Sequence, residues 1–263
     1  DSCNISSWGS GICFFHYSYD NKILSSRIYD SPAGISLSRH ADFNLIKDTE
    51  LSNNQCGIVI HSALNNTIDS CMIYNNSYCG ITLDRGSNFY TSIDNTIKAC
   101  TISNNEVGIF LDISSYESNL IYHNNFINNV EHANDSLNGA WYNELIEQGN
   151  YWDDYTGVDE NGDGIGDTPY NISEGDNKDY YPLMKPYELP SDPGPIVNLN
   201  TTEIFYNIQD AIDDPDTLDG HTIFVSNGIY KENIIINKSI SLVGEDNEDT
   251  IIKISENSNN FNT

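Results

Sequence analysis

Four segments of this chain open alike: GICFFHYSYDNK at Gly11, GISLSRHADFNL at Gly34, GIVIHSALNNTI at Gly57 and GITLDRGSNFYT at Gly80. A fifth, GIFLDISSYESN, begins at Gly108, so the spacings are 23, 23, 23 and 28 residues, the last gap holding an insertion around SNFYTSID. Each unit repeats again late in its length, as CMIYNNSYCG, CTISNNEVG, NFINNVE and, more loosely, TELSNNQCG. Short alternating runs such as GIVI and CMIY read as strands, separated by Asn, Gly, Ser and Asp clusters, with no sustained helical period. A unit of this size cannot bury an apolar face alone, but stacked on its neighbours it can. Equivalent residues then lie about 4.8 Å apart, the parallel-strand spacing. Ile12, Ile35, Ile58, Ile81 and Ile109 form one inward ladder on this reading, and the Asn pairs at 53–54, 75–76, 104–105 and 128–129 form another at a turn, where stacked amides bond to one another. The expected fold is all-β, a parallel β-helix of ~23-residue coils.

The six cysteines fit the same frame. Cys56 and Cys79 each precede a unit glycine, 23 residues apart, and Cys71 and Cys100 each open a C-x-I-x-N-N run. Adjacent coils bring each pair within disulfide range; a reduced, buried thiol ladder is the competing reading. Cys3 fits the Cys71 position one coil earlier, and Cys13 has no partner but Cys3. No cysteine stands at metal spacing from a histidine.

After residue 130 the repeat fades. GNYWDDY at 149–155 brings a dense aromatic group, and GVDENGDGIGDTPY follows at 157–170. Asp159, Asn161 and Asp163 occupy positions 1, 3 and 5 of a calcium loop of the EF-hand type, Gly164 the sharp turn at 6, Ile165 the carbonyl position 7 and Asp167 position 9. Position 12 is Tyr170 rather than Glu, so Asp153, Asp154, Asp176 or Asp179 has to supply the missing ligand. No flanking helices are evident, which argues for a structural ion rather than a sensor; an Asp-Gly turn without metal is the plainer alternative. Residues 131–187 therefore read as an irregular calcium-binding cap over the coils of 1–130. ELPSDPGPI at 188–196 reads as a linker. Beyond it, 197–263 reads as the start of a β-helix: a short capping helix near Ile208–Ile212, then strands in HTIFV, ENIIINKSISLVG and DTIIKI. One end thus supplies the start of a solenoid and the other its finish. The chain closing on itself, one period of a tandem array, and copies stacking head to tail all satisfy that pattern, and the last gives a contact that need not close.

Lys and Arg total 11 against 39 Asp and Glu, a net charge of −28 over 263 residues. Such a surface repels nucleic acid and anionic membranes and attracts divalent cations. No apolar run approaches the roughly 20 residues that span a bilayer, so direct membrane insertion is not expected. Asn-x-Ser/Thr sequons stand at Asn4, Asn65, Asn75, Asn134, Asn171, Asn200 and Asn237. With few lysines and a calcium-type loop beside them, they point to an extracellular, cell-surface protein.

The G-I-x-L and N-N coils followed by GNYWDDYTGVDENGDGIGDTPYNI and DYYPLMKP resemble the periplasmic copper-binding-type, pectin-lyase-like β-helix family, which includes archaeal cell-surface and surface-layer-like proteins. IFYNIQDAIDDPDTLDGHTIFVSNGIYKENIIINKSISLVGE is similar to the N-terminal part of such domains. The resemblance implies a right-handed β-helix outside the membrane. It does not extend to copper, since the only methionines are Met72 and Met184. The fold also hosts polysaccharide lyases and hydrolases, but fold alone assigns no activity. Candidate acids are Asp153 with Asp154, Asp84 with Asp112, and Glu50, and no catalytic signature unites them. The expectation is a non-enzymatic structural subunit of a filament, sheath or surface-layer array, its partners copies of itself and its cofactor calcium. The alternative is a glycan-binding or glycan-modifying surface protein using Tyr17, Tyr19, Tyr74, Tyr78 and Tyr90.

Overall fold

The structure is a computed structural model that describes residues 3–84, 91–111, 119–135, 139–188, 194–245 and 250–253. Two compact units form, Asp1–Tyr187 and Glu188–Thr263.

In the first unit each coil contributes a three-residue strand, a strand of five or six residues and a second three-residue strand. Like strands stack in chain order into three parallel sheets. In the sheet of long strands, Ile12, Ile35, Ile58 and Ile81 pair in register with Ile109, and the ladder ends on Ala133. A second inward ladder two residues on runs Phe14, Leu37, Ile60, Leu83, Leu111 and ends on Asp135. Ile23, Ile46, Ile68, Ile97 and Ile121 line the third sheet. From the second coil onward these aliphatic side chains are buried, and they form one continuous core.

The glycine that opens each unit has a packing cause. A Cβ on Gly57 would lie 2.5 Å from the Gly80 carbonyl oxygen, and one on Gly34 would lie 2.6 Å from that of Gly57. Successive coils approach too closely there for any side chain.

The asparagine pairs divide their labour. The first of each pair, Asn53, Asn75, Asn104 and Asn128, turns the chain in the left-handed region, with φ between 52° and 55°. That region is one Asn tolerates better than most residues. The second points inward. Asn76 Oδ1 accepts from Asn54 N at 3.0 Å, and Asn105 Oδ1 accepts from Asn76 N and Nδ2 at 3.0 and 2.9 Å. The ladder continues to Asn129. A second corner carries an equivalent ladder of Asn21, Asn44, Asn66, Asn95 and Asn119. A third corner mixes residue types: Ser26, Thr49, Cys71, Cys100, Asn124 and Asn150 each stand just before a strand of the same sheet. Each ladder gives buried turn amides the partners they need.

At the cap, aromatics replace aliphatics. The ladder Ile5, Ile28, Leu51, Ile73, Ile102 ends on Phe126 and Trp152. Those two rings stack at 4.2 Å, and Tyr170 stacks on Trp152 at 4.2 Å. Two buried carboxylates hold the indoles: Asp179 accepts from Trp152 Nε1 and Asp135 from Trp141 Nε1, both at 2.9 Å.

In the second unit, Ile196–Asn198 pairs antiparallel with Ile204–Phe205 and with Thr222–Val225, which pairs parallel with Ser241–Gly244; Gly228–Lys231 pairs parallel with Thr250–Lys253. Helix α1 (Ile208–Asp213) is capped by Asn207, and its Ile208, Ala211 and Ile212 join a separate core with Ile196, Ile223, Val225 and Tyr230. Part of the expected linker is therefore strand, from Ile196, while 189–193 lie outside the described residues. The expected strand in ENIIIN does not form. Instead the Gln209 side chain brackets Ile235, accepting from its N–H at 2.7 Å and donating to its carbonyl at 3.1 Å.

Candidate calcium loop, glycan acceptors and solenoid edge

The Asp-rich loop is a tight turn built on glycine. Gly162 and Gly164 have φ of 78° and 89°. Asp159 Oδ1 accepts from Gly162 N and Asp163 N at 2.6 and 3.2 Å, and its Oδ2 accepts from Gly164 N at 2.9 Å. Asp163 accepts from Ile165 N and from Asn161 Nδ2, both at 2.9 Å. Asp167 accepts from Glu160 N at 2.7 Å while its own N–H closes the loop on Val158 at 2.8 Å. Links from Gly166 N to Pro182 and from Met184 N to the Gly164 carbonyl tie the loop to the cap.

This donor set is all oxygen, as a hard cation requires. Among the described residues, no lysine or arginine pairs with Asp159, Asp163 or Asp167. The backbone bonds leave acceptor capacity on each carboxylate, which offers about four lone-pair sites. The ligand atoms of these three aspartates nevertheless do not all converge within 4.8 Å. Position 12 is explained: Tyr170 belongs to the aromatic stack, and its hydroxyl reaches Asp154 at 3.3 Å. Three of the four proposed substitutes are engaged elsewhere. Asp179 lies buried under Trp152, and Asp153 and Asp154 face His132, whose Nε2 stands 2.8 and 3.4 Å from them. Asp176 stays exposed.

His132 was not marked by the sequence. It sits three residues past the 128–129 pair, buried at 7% exposure between Phe126 and Trp152. Asn129 Oδ1 is occupied by the amide ladder, so its Nδ2 is what faces His132 Nδ1, at 3.3 Å. A donor there leaves Nδ1 as acceptor and the proton on Nε2, directed at Asp153. The three residues thus form a hydrogen-bonded clamp between coil and cap.

The remaining candidates scatter. Asn4, Asn65, Asn75, Asn171, Asn200 and Asn237 are exposed; Asn134 is half-buried and bonded to Glu131. Glu50 is gripped by Arg27 Nε at 2.7 Å and by the Tyr74 hydroxyl, which holds its carboxyl below the usual carboxylate range. Asp84 pairs with His61; Asp112 and Tyr90 lie outside the described residues. Tyr17, Tyr19 and Tyr78 are exposed, and Tyr17 stacks on His40 at 5.4 Å. No cysteine is joined in a disulfide in this structure; Cys3 and Cys13 are exposed and the other four buried. Cys3 does share the Cys71 ladder position, but three coils away, with Ser26 and Thr49 between them. That distance corrects the expectation of adjacency.

Among the described residues, the first coil lies at one end of the three parallel sheets. Ile5, Ile12 and Phe14 extend its ladders yet stay only partly buried, while Trp8, Phe15 and Tyr17 are exposed. In the second unit, Ser241–Gly244 lies at a sheet edge, and Ile235, Ile236, Val243, Ile251 and Ile252 are exposed.

A family described as "Right handed beta helix region" matches residues 1–146, and the chain belongs to it. The coils are therefore those of a right-handed parallel β-helix. A protein named "Cell surface glycoprotein" from Methanothermus fervidus is 55% identical over 47 residues. That match covers 18% of this chain and 8% of the relative, so the chain spans a small fraction of that protein's length. No solved structure matches the chain.

Proposed function

We propose that this protein is a non-catalytic structural component of an extracellular surface array, built by stacking β-helix coils end to end with further copies and ordered at its cap by calcium. The observation that supports the reading is the partial exposure, among the described residues, of the first coil. Its side chains continue the ladders that are fully buried one coil on, and a parallel edge with exposed apolar residues is a template for another strand. The occupant is the second unit of another copy, whose strands Ser241–Gly244 and Thr250–Lys253 already run parallel to their neighbours and carry exposed Val243, Ile251 and Ile252. Such a contact is heterologous and propagates rather than closes. The similarity to a cell surface glycoprotein and the six exposed sequons support a surface location. Calcium would be held by Asp159, Asn161, Asp163, the Ile165 carbonyl and Asp167. It would also offset repulsion between copies that each carry −28.

The test is sedimentation velocity of the full chain, with calcium and with chelator, beside an Ile12→Lys variant that places a charge in the edge ladder. Multi-copy species for the parent chain and single copies for a folded variant are expected. A parent chain that sediments as one copy under every condition sinks the assembly reading. Glycan binding is the second reading. It rests on the exposed Tyr17, Tyr19 and Tyr78, and glycan titration against tyrosine fluorescence tests it.

A further inference from the structure

Among the three cysteine pairings that the repeat allows, the geometry points to one: we infer that Cys56 and Cys79 close a disulfide across adjacent coils, while Cys71 and Cys100 remain thiols. Cys56 and Cys79 are direct register partners in the sheet of long strands, between Ala33 on one side and Val107 on the other. Register partners in neighbouring parallel strands lie about 4.8 Å apart, inside the Cα range a disulfide tolerates. Both side chains are buried, and their sulfur atoms stand 2.7 Å apart, far inside thiol contact distance. No backbone movement is needed to join them.

Cys71 and Cys100 are also stacked in register order, but their thiols have other work. Cys71 Sγ donates to the Asp69 carbonyl at 3.2 Å and Cys100 Sγ to the Lys98 carbonyl at 3.2 Å. The hydroxyls of Ser26 and Thr49 make the same bond in earlier coils, to Leu24 and Lys47 at 2.9 Å each. Cys71 and Cys100 thus replace a hydroxyl as turn donors, and oxidation would strip both carbonyls of that partner. Cys100 is further committed: Cys71 N donates to its sulfur at 3.4 Å.

Closure proceeds by exchange with a small-molecule or protein disulfide. The Cys79 thiol donates to the Cys56 sulfur and favours its thiolate, which fits Cys56 as first nucleophile. Cys56 attacks one sulfur of the external disulfide and expels a thiolate. Cys79, on losing its proton, then attacks Cys56 Sγ in the mixed disulfide and expels the second thiolate. The two protein thiols are oxidised, and the external disulfide takes up their two electrons and two protons as two thiols.

The full chain is equilibrated with excess oxidised glutathione, denatured without reductant, alkylated and digested with chymotrypsin, which cuts after Tyr74 and so separates Cys71 from Cys79. A peptide pair linked Cys56–Cys79, with alkylated Cys71 and Cys100, is expected. In addition, the urea midpoint of the oxidised parent chain should fall on reduction, while that of a Cys56→Ser, Cys79→Ser variant should not move. Alkylation of all six cysteines, or a link that joins Cys71 to Cys100 instead, overturns the inference.

Discussion

Truncating the two members of one Asn pair should have very different consequences. Asn76→Ala removes the acceptor of Asn54 N and the donor to the Leu51 carbonyl, in a position that is 1% exposed. Asn105 Oδ1 keeps the Asn76 backbone N–H. Two backbone groups are thus left without their side-chain partner, and each buried orphan costs roughly 1–3 kcal/mol, so the loss should be about 4 kcal/mol. Asn75→Ala leaves every ladder bond in place, because the Asn75 side chain is exposed and its N–H still reaches Ser103 O. It keeps only the cost of a left-handed Ala at φ 55°, about 1 kcal/mol. Urea unfolding followed by far-UV circular dichroism gives both values from midpoints at constant slope. Equal losses for the two variants, or a smaller loss for Asn76→Ala, would refute the inward assignment of the second asparagine.

Three further outcomes follow. Gly57→Ala should destabilise by at least about 2 kcal/mol in the same assay, because its Cβ meets the Gly80 carbonyl oxygen at 2.5 Å and the buried Ile73 side chain at 2.8 Å; a change within 0.5 kcal/mol, roughly the surface-substitution range, would contradict the close approach of coils. Calcium should raise the melting temperature of the parent chain and leave an Asp159→Ala, Asp163→Ala variant unmoved, and a calcium response in the variant would place the ion elsewhere. Burial raises the Asp179 carboxyl to about 6 against the N–H bonds from Asn150, Trp152 and Tyr181 that pull it down, whereas in the unfolded chain it titrates near 3.9. Between those values the folded chain holds a proton the unfolded chain has released. The stability from this group is therefore present below pH 4, is lost as pH rises through 6, and amounts to about 3 kcal/mol. An Asp179→Asn variant should show a flatter profile between about pH 4 and pH 6, and an unchanged profile would assign that slope to other groups.

The core was legible because its signal is redundant. Each coil repeats a glycine whose absent Cβ lets the next coil approach, followed by an inward isoleucine, and register pairing reproduces that ladder residue by residue. The other two corners were not legible. Asn21, Asn44, Asn66, Asn95 and Asn119 recur at 23, 22, 29 and 24 residues, because loop insertions fall between them. The third corner accepts hydroxyl, thiol and amide alike, so Ser26 and Thr49 disguised the coils between Cys3 and Cys71. The strand reading of 197–263 was overstated, since ENIIIN read as β while the Gln209 side chain serves Ile235. At the cap, local spacing marked the Asp-rich loop. It could not reveal that His132, arriving from the last long strand, engages both Asp153 and Asp154.

Electron microscopy of the native, full-length material tests the account most directly. Continuous fibres, with the ~4.8 Å layer spacing of stacked coils along the axis, are the predicted result. Discrete particles that persist with calcium present and at high concentration would contradict it.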